Sequence, residues 1–133
     1  MSEDKKILIV DDDLTLREMY EERLKYDGFV VIGASDGEEA VQKIKQEMPD
    51  LILLDVMMPK MNGIDVLRAI RCDDNTKHIP VIILTALIQE IDKLKSLMNE
   101  KDGYLIKSEQ MPKEVLAKVH EILGWENKNH SVN

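Results

Sequence analysis

A chain of 133 residues with 18 Lys and Arg against 26 Asp and Glu, net charge −8, has the length of one domain and a surface that argues against non-specific nucleic-acid binding and against attraction to anionic membranes. Its single cysteine, Cys72, excludes an internal disulfide and any CxxC metal site. With one Phe, three Tyr and one Trp, the core has to come from Ile, Leu, Val and Met.

The polar start "MSEDKK" is no signal peptide and no apolar stretch is long enough for a membrane span, so a cytoplasmic protein is expected. The first apolar run, residues 7–10, leads at once into three acids, Asp11, Asp12 and Asp13. Leu16, Met19, Tyr20 and Leu24 then share one helical face, and Gly28 stands where a helix-ending glycine belongs. A second apolar run covers 29–32. "SDGE" from Ser35 to Glu38 has the spacing of a capping box for the next helix, which Pro49 stops. The third run is 51–54, after which Asn62 can cap a helix with Asp65 in its first turn. Runs four and five are 81–84 and 104–106. Pro112 suits the first turn of a last helix whose Val115, Val119 and Ile122 share a face and which Gly124 ends.

None of the five runs alternates with polar residues, the mark of strands buried on both faces. Strand and helix alternate five times, which predicts an α/β fold, a three-layer αβα sandwich on a parallel sheet. One domain over residues 1–124 is expected, followed by a polar tail over 125–133 and no output domain.

Ligands of such sheets bind beyond the carboxyl ends of the strands. The first strand is followed there by Asp11 and Asp12, the third by Asp55, the fourth by Thr85 and the fifth by Lys107; the second ends in Gly33 and Ala34, which carry no chemistry. Asp13 suits a helix N-cap as well as a ligand role. Clustered carboxylates need a positive neighbour, and an all-oxygen donor set selects a hard cation, Mg²⁺ or Mn²⁺. Lys and Thr opposite that cation suit phosphoryl oxygens, and a central carboxylate can accept the phosphoryl group.

Two carboxylates compete for that role. Asp11-x-Asp13-x-Thr15 fits the first motif of haloacid-dehalogenase-type phosphatases, with Asp11 as nucleophile, but the acidic pair that family needs after its lysine is missing. The alternative is Asp55. With "VDDD" (10–13), "LLDVMMPKMNG" (53–63), "LTA" (84–86) and "DGYLIK" (102–107), the sequence resembles the receiver domains of two-component response regulators, stand-alone type, from about Lys5 to Leu123.

The resemblance implies a flavodoxin-like sheet in the order 2-1-3-4-5. It implies phosphorelay signalling, with Asp55 taking a phosphoryl group from a sensor histidine kinase or phosphotransfer protein. Mg²⁺ would be held by Asp11, Asp12, Asp55 and the backbone carbonyl of Met57, and phosphoryl oxygens by Thr85 and Lys107. Thr85 and Tyr104 would form a switch that repacks the face of helix 4, strand 5 and helix 5 for a downstream protein. The domain would catalyse only its own phosphorylation and dephosphorylation. Neither nucleic acid nor membrane is expected as a partner. A phosphate-independent interaction module is the remaining rival.

The sequence departs from the family at Ser108, where proline after a cis bond is usual; a trans Lys107–Ser108 bond is expected, since cis costs about 2.5–4 kcal/mol without proline. Glu100 and Lys101 replace a usual Gly-Ala, with Asn99 as the expected left-handed residue. Apolar Met57 and Leu87 flank the expected path of hydrolytic water, which predicts slow dephosphorylation.

Overall fold

In the computed structural model, which describes residues 5–56, 62–85, 89–106 and 111–123, the apolar runs form five parallel strands: β1 (Lys6–Val10), β2 (Val30–Ala34), β3 (Leu51–Asp55), β4 (Val81–Thr85) and β5 (Gly103–Ile106). They are ordered β2-β1-β3-β4-β5, as the resemblance implied. Between them run α1 (Leu14–Tyr26), α2 (Gly37–Glu47), α3 (Gly63–Cys72) and α4 (Gln89–Leu94), the last prolonged by a 3₁₀ turn (Lys95–Leu97), and α5 (Met111–Leu123) follows β5.

The pleat explains why unalternating runs work here. Ile7, Ile9, Leu51, Leu53, Ile82 and Leu84 point to one face and are covered by Tyr20 and Leu24 of α1 and Val115 and Val119 of α5. Leu8, Val10, Ile52, Leu54, Val81 and Ile83 point to the other, under α2, α3 and α4. Each fully buried side chain of this size contributes about 1.5–3 kcal/mol. None of the described helices is long and apolar enough to cross a membrane.

Local chemistry sets the boundaries, and in three places it corrects the sequence reading. The second strand starts at Val30, not Phe29, because the end of α1 uses the residues before it. Gly28, at φ 99°, donates to the Lys25 carbonyl and Phe29 donates to that of Leu24. This is a Schellman closure whose apolar contact, Phe29 against Leu24, lies in the core. The cap of α2 is Asp36 rather than Ser35: Asp36 accepts from the Glu39 amide at 2.9 Å, and the Glu39 carboxylate reaches back to the Ser35 amide at 2.7 Å. The box is thus shifted by one residue. Asn99 is not left-handed; among described non-glycine residues only Met48, just before Pro49, has positive φ. Asn99 works through hydrogen bonds instead, its amide donating to Asp102 and its side chain to the Lys77 carbonyl.

Asn62 caps α3 through the Asp65 amide at 3.1 Å, as expected. Gly124, the tail and the Lys107–Ser108 bond lie outside the described residues.

Candidate functional site

The strand order seats β3 between β1 and β4 at the point where the connections reverse direction, so its last residue faces the crevice at the carboxyl ends. That residue is Asp55. Val10 pairs with Leu54, so Asp11 emerges directly beside Asp55. Asp55 itself pairs with Leu84, so Thr85 stands one residue farther along the next strand. Asp11, Asp55 and Thr85 are 1%, 2% and 0% exposed, whereas Asp12 is open to solvent.

One carboxylate oxygen from each of Asp11, Asp12 and Asp55 lies within 4.8 Å of the others. Three like charges at this range disfavour one another unless a cation joins them. The donor set fits one: all oxygen, with neither imidazole nor thiolate, the chemistry of a hard divalent ion. These three side chains can therefore hold a metal. The charge of Asp11 reaches the core, where burial first, then the charges of Asp11 and Glu114, push the Tyr20 phenol up to about 12.

Asp13 takes the role of helix cap. Exposed at the start of α1, it accepts from the Leu16 amide at 3.1 Å, while its own amide donates to Asp11 Oδ1 at 2.9 Å. The acid–base partner that the phosphatase reading needs is thus engaged in capping.

Gly63 explains the glycine in "MPKMNG". A Cβ there would come within 2.6 Å of the Asp55 carbonyl oxygen and of Val56 Cα, while the Gly63 amide donates to the Val56 carbonyl at 3.0 Å. The backbone at Asp55 and Val56 lies against the start of α3, and only a residue without a side chain lets the two meet. Met57, Leu87 and Lys107 lie outside the described residues. Tyr104 sits on β5 opposite Ile83, two residues before the partner of Thr85, so Thr85 and Tyr104 share a face of the sheet. The Tyr104 ring is turned outward, 42% exposed.

One residue at the site was missed in sequence. Arg17 Nη1 donates to the Asp11 carbonyl at 2.7 Å. The available signal was its position as the first base after the three acids, one helical turn past the cap.

Residues 7–120 match the family described as the response regulator receiver domain. The chain is 44% identical over 119 residues to the alkaline phosphatase synthesis transcriptional regulatory protein PhoP of Bacillus subtilis, covering 90% of this chain and 48% of that protein. It is 40% identical over 114 residues to the DNA-binding response regulator MtrA of Mycolicibacterium paratuberculosis, covering 86% of this chain and 49% of the relative. Among solved structures, response regulator protein TrrA from Thermotoga maritima, in complex with Mg(2+)-BeF, is similar at a TM-score of 0.77 and 34% identity, over 89% of this chain and 98% of the other.

The chain spans about half the length of the full-length relatives it matches. Those relatives overturn the expectation that nucleic acid has no part: they are transcriptional regulators, one of them DNA-binding by name. The net charge of a receiver segment says nothing about what the remainder of such a protein binds, which is where the argument from acidity failed.

Proposed function

This chain belongs to the response regulator receiver domain family, and from that premise we propose that Asp55 accepts a phosphoryl group from a phosphohistidine on a sensor kinase or phosphotransfer protein. The observation that carries the reading is the burial of Asp55 at the end of the central strand, within 4.8 Å of Asp11 and Asp12 at the carboxylate oxygens. An Asp55 oxygen attacks phosphorus while the phosphorus–nitrogen bond breaks, and the electron pair leaves with the imidazole.

Asp11, Asp12 and Asp55, with the Met57 carbonyl, would hold Mg²⁺ or Mn²⁺, which when bound neutralises carboxylate and phosphoryl charge together. The Thr85 hydroxyl and the Lys107 ammonium donate to phosphoryl oxygens. Movement of Thr85 toward the phosphoryl group leaves room for the Tyr104 ring to turn inward, changing the surface of α4, β5 and α5. Met57 and Leu87 offer no polar group to orient attacking water, so hydrolysis is slow. The domain performs these two reactions on itself alone, and the relatives' names favour a nucleic-acid target for the protein in which it works.

The test is incubation with Mg²⁺ and phosphoramidate, followed by peptide mapping. A single labile phosphoryl group on Asp55, lost with a chelator and in Asp55→Asn, is expected. Label on Asp11 with continuous turnover would instead establish the phosphatase reading.

A further inference from the structure

Arg17 lies in the first turns of α1, with its side chain only 14% exposed, and donates from Nη1 to the Asp11 carbonyl at 2.7 Å. On its other side, Nε is 4.0 Å from Glu21 Oε2. The pair lies across β2 at Gly33, where a Cβ would come within 2.3 Å of the Glu21 carboxylate and 3.2 Å of Arg17 Cδ and Nε. A glycine at this point of the strand gives the arginine its channel.

The carbonyl that Arg17 grips belongs to the peptide joining Asp11 to Asp12. Its neighbours are also fixed: the Asp11 amide donates to the Ala34 carbonyl at 3.0 Å, and the Asp13 amide to Asp11 Oδ1 at 2.9 Å. Asp11 is buried and oriented by its own packing. Asp12 is exposed, so the aim of its carboxylate into the cluster depends on the backbone beneath it.

We propose that Arg17 is a positioning residue for divalent-cation binding, holding the Asp11–Asp12 peptide so that the Asp12 carboxylate converges on Asp11 and Asp55. This rests on the reading of those three acids as a metal site. Two effects of Arg17 oppose each other, which makes the proposal decidable. As a nearby cation it repels a metal ion, so electrostatics alone predicts tighter binding once its charge is removed. As a clamp it orients ligands, and losing such a group weakens metal affinity by roughly 10–100-fold.

The experiment is titration of the intact, chelator-treated chain with Mn²⁺, read by paramagnetic resonance of free Mn²⁺. Wild type, Arg17→Gln, Arg17→Lys and Asp12→Asn are compared, each with a thermal melt in chelator. The expected result is saturable binding in wild type, about tenfold weaker binding in Arg17→Gln that persists at high salt, and partial recovery in Arg17→Lys, tighter than Arg17→Gln but weaker than wild type, since it keeps one donor to the carbonyl. Metal-free melting of a variant close to wild type separates the effect from general destabilisation, and should Arg17→Gln melt far lower, Arg17→Lys alone decides by binding weaker than wild type. Unchanged or tighter binding in Arg17→Gln, with Asp12→Asn still abolishing it, overturns the role of Arg17 and leaves the metal site standing. Absence of any binding sensitive to Asp12→Asn in wild type overturns both.

Discussion

At the entry end of the strands the Asp102 carboxylate is fully enclosed, and both its oxygens are answered: Oδ1 accepts from the Val81 amide at 2.8 Å, Oδ2 from the Asn99 amide at 2.7 Å and from Arg71. Arg71 in turn donates to the carbonyls of Leu97, Lys77 and Ile79. One ion pair thus ties the end of α3 to the start of β4, the 3₁₀ turn and the lead into β5. At the exit end Asp11 and Asp55 are just as deeply buried, but there the acids converge on one another and on Asp12. The first arrangement serves the fold whatever is bound. The second holds repulsion that a bound cation would relieve. Stability and function have been placed at opposite ends of the same strands.

The largest effect should come from the entry end. Arg71→Ala leaves the Asp102 carboxylate buried without its cation and takes the Arg71 donors from the Leu97 and Ile79 carbonyls, and breaking a buried pair in this way costs about 3–5 kcal/mol. Urea unfolding should register that loss equally in chelator and in Mg²⁺, because the node does not touch the metal site. A cost below about 1 kcal/mol, or one that depends on Mg²⁺, would erase the division between the two ends.

Asp12→Asn should act with the opposite sign. It removes one of three like charges from the exit end, and unit charges about 4 Å apart interact by about 1 kcal/mol in water. The metal-free protein should therefore gain up to about 1 kcal/mol at low ionic strength, shrinking as salt screens the cluster. The same substitution should remove the stabilisation by Mg²⁺, which in wild type reaches about 2.7 kcal/mol at a hundred times its dissociation constant. A loss of stability in chelator would mean that the exit-end acids support the fold.

The two ends also differed in how far they could be read from the sequence. Asp11 with Asp12, Asp55 and Thr85 come at the ends of apolar runs, and a parallel sheet gathers such ends along one edge, while which strands are neighbours was supplied by the family resemblance. Arg71 and Asp102 carry no such signal. They are 31 residues apart, on a helix end and in a turn, and their union depends on how α3 and β5 dock. Gly63 was legible as a loop glycine, but its contact with the Asp55 backbone is a product of tertiary closure. The one-residue errors at Phe29 and Ser35 share a cause: in each, hydrogen bonding at a helix terminus claimed a residue that propensity had given to its neighbour.

The smallest effect tests whether position in the sheet or choice of partners decides what an acid does. Glu39 lies near the exit end, just past β2, yet its carboxylate is answered: Oε1 accepts from the Ser35 amide and hydroxyl, and Oε2 lies 3.1 Å from Lys43 Nζ. The Ser35 amide above all, with Lys43 and the Ser35 hydroxyl, holds this carboxyl down at about 2, against 4.5 for a free glutamate. A carboxyl depressed on folding stabilises fully above its unfolded value and loses that contribution as pH falls toward its folded value. Glu39→Gln should therefore lower stability near neutral pH, by less than about 1 kcal/mol given the exposure of the pair to solvent. The gap from wild type should close between about pH 4.5 and 2, followed by denaturant unfolding across that window. A gap that stayed constant through it would assign the effect to packing and capping rather than to charge, and with it the claim that partners, not location, separate the fold-serving acids from the site acids.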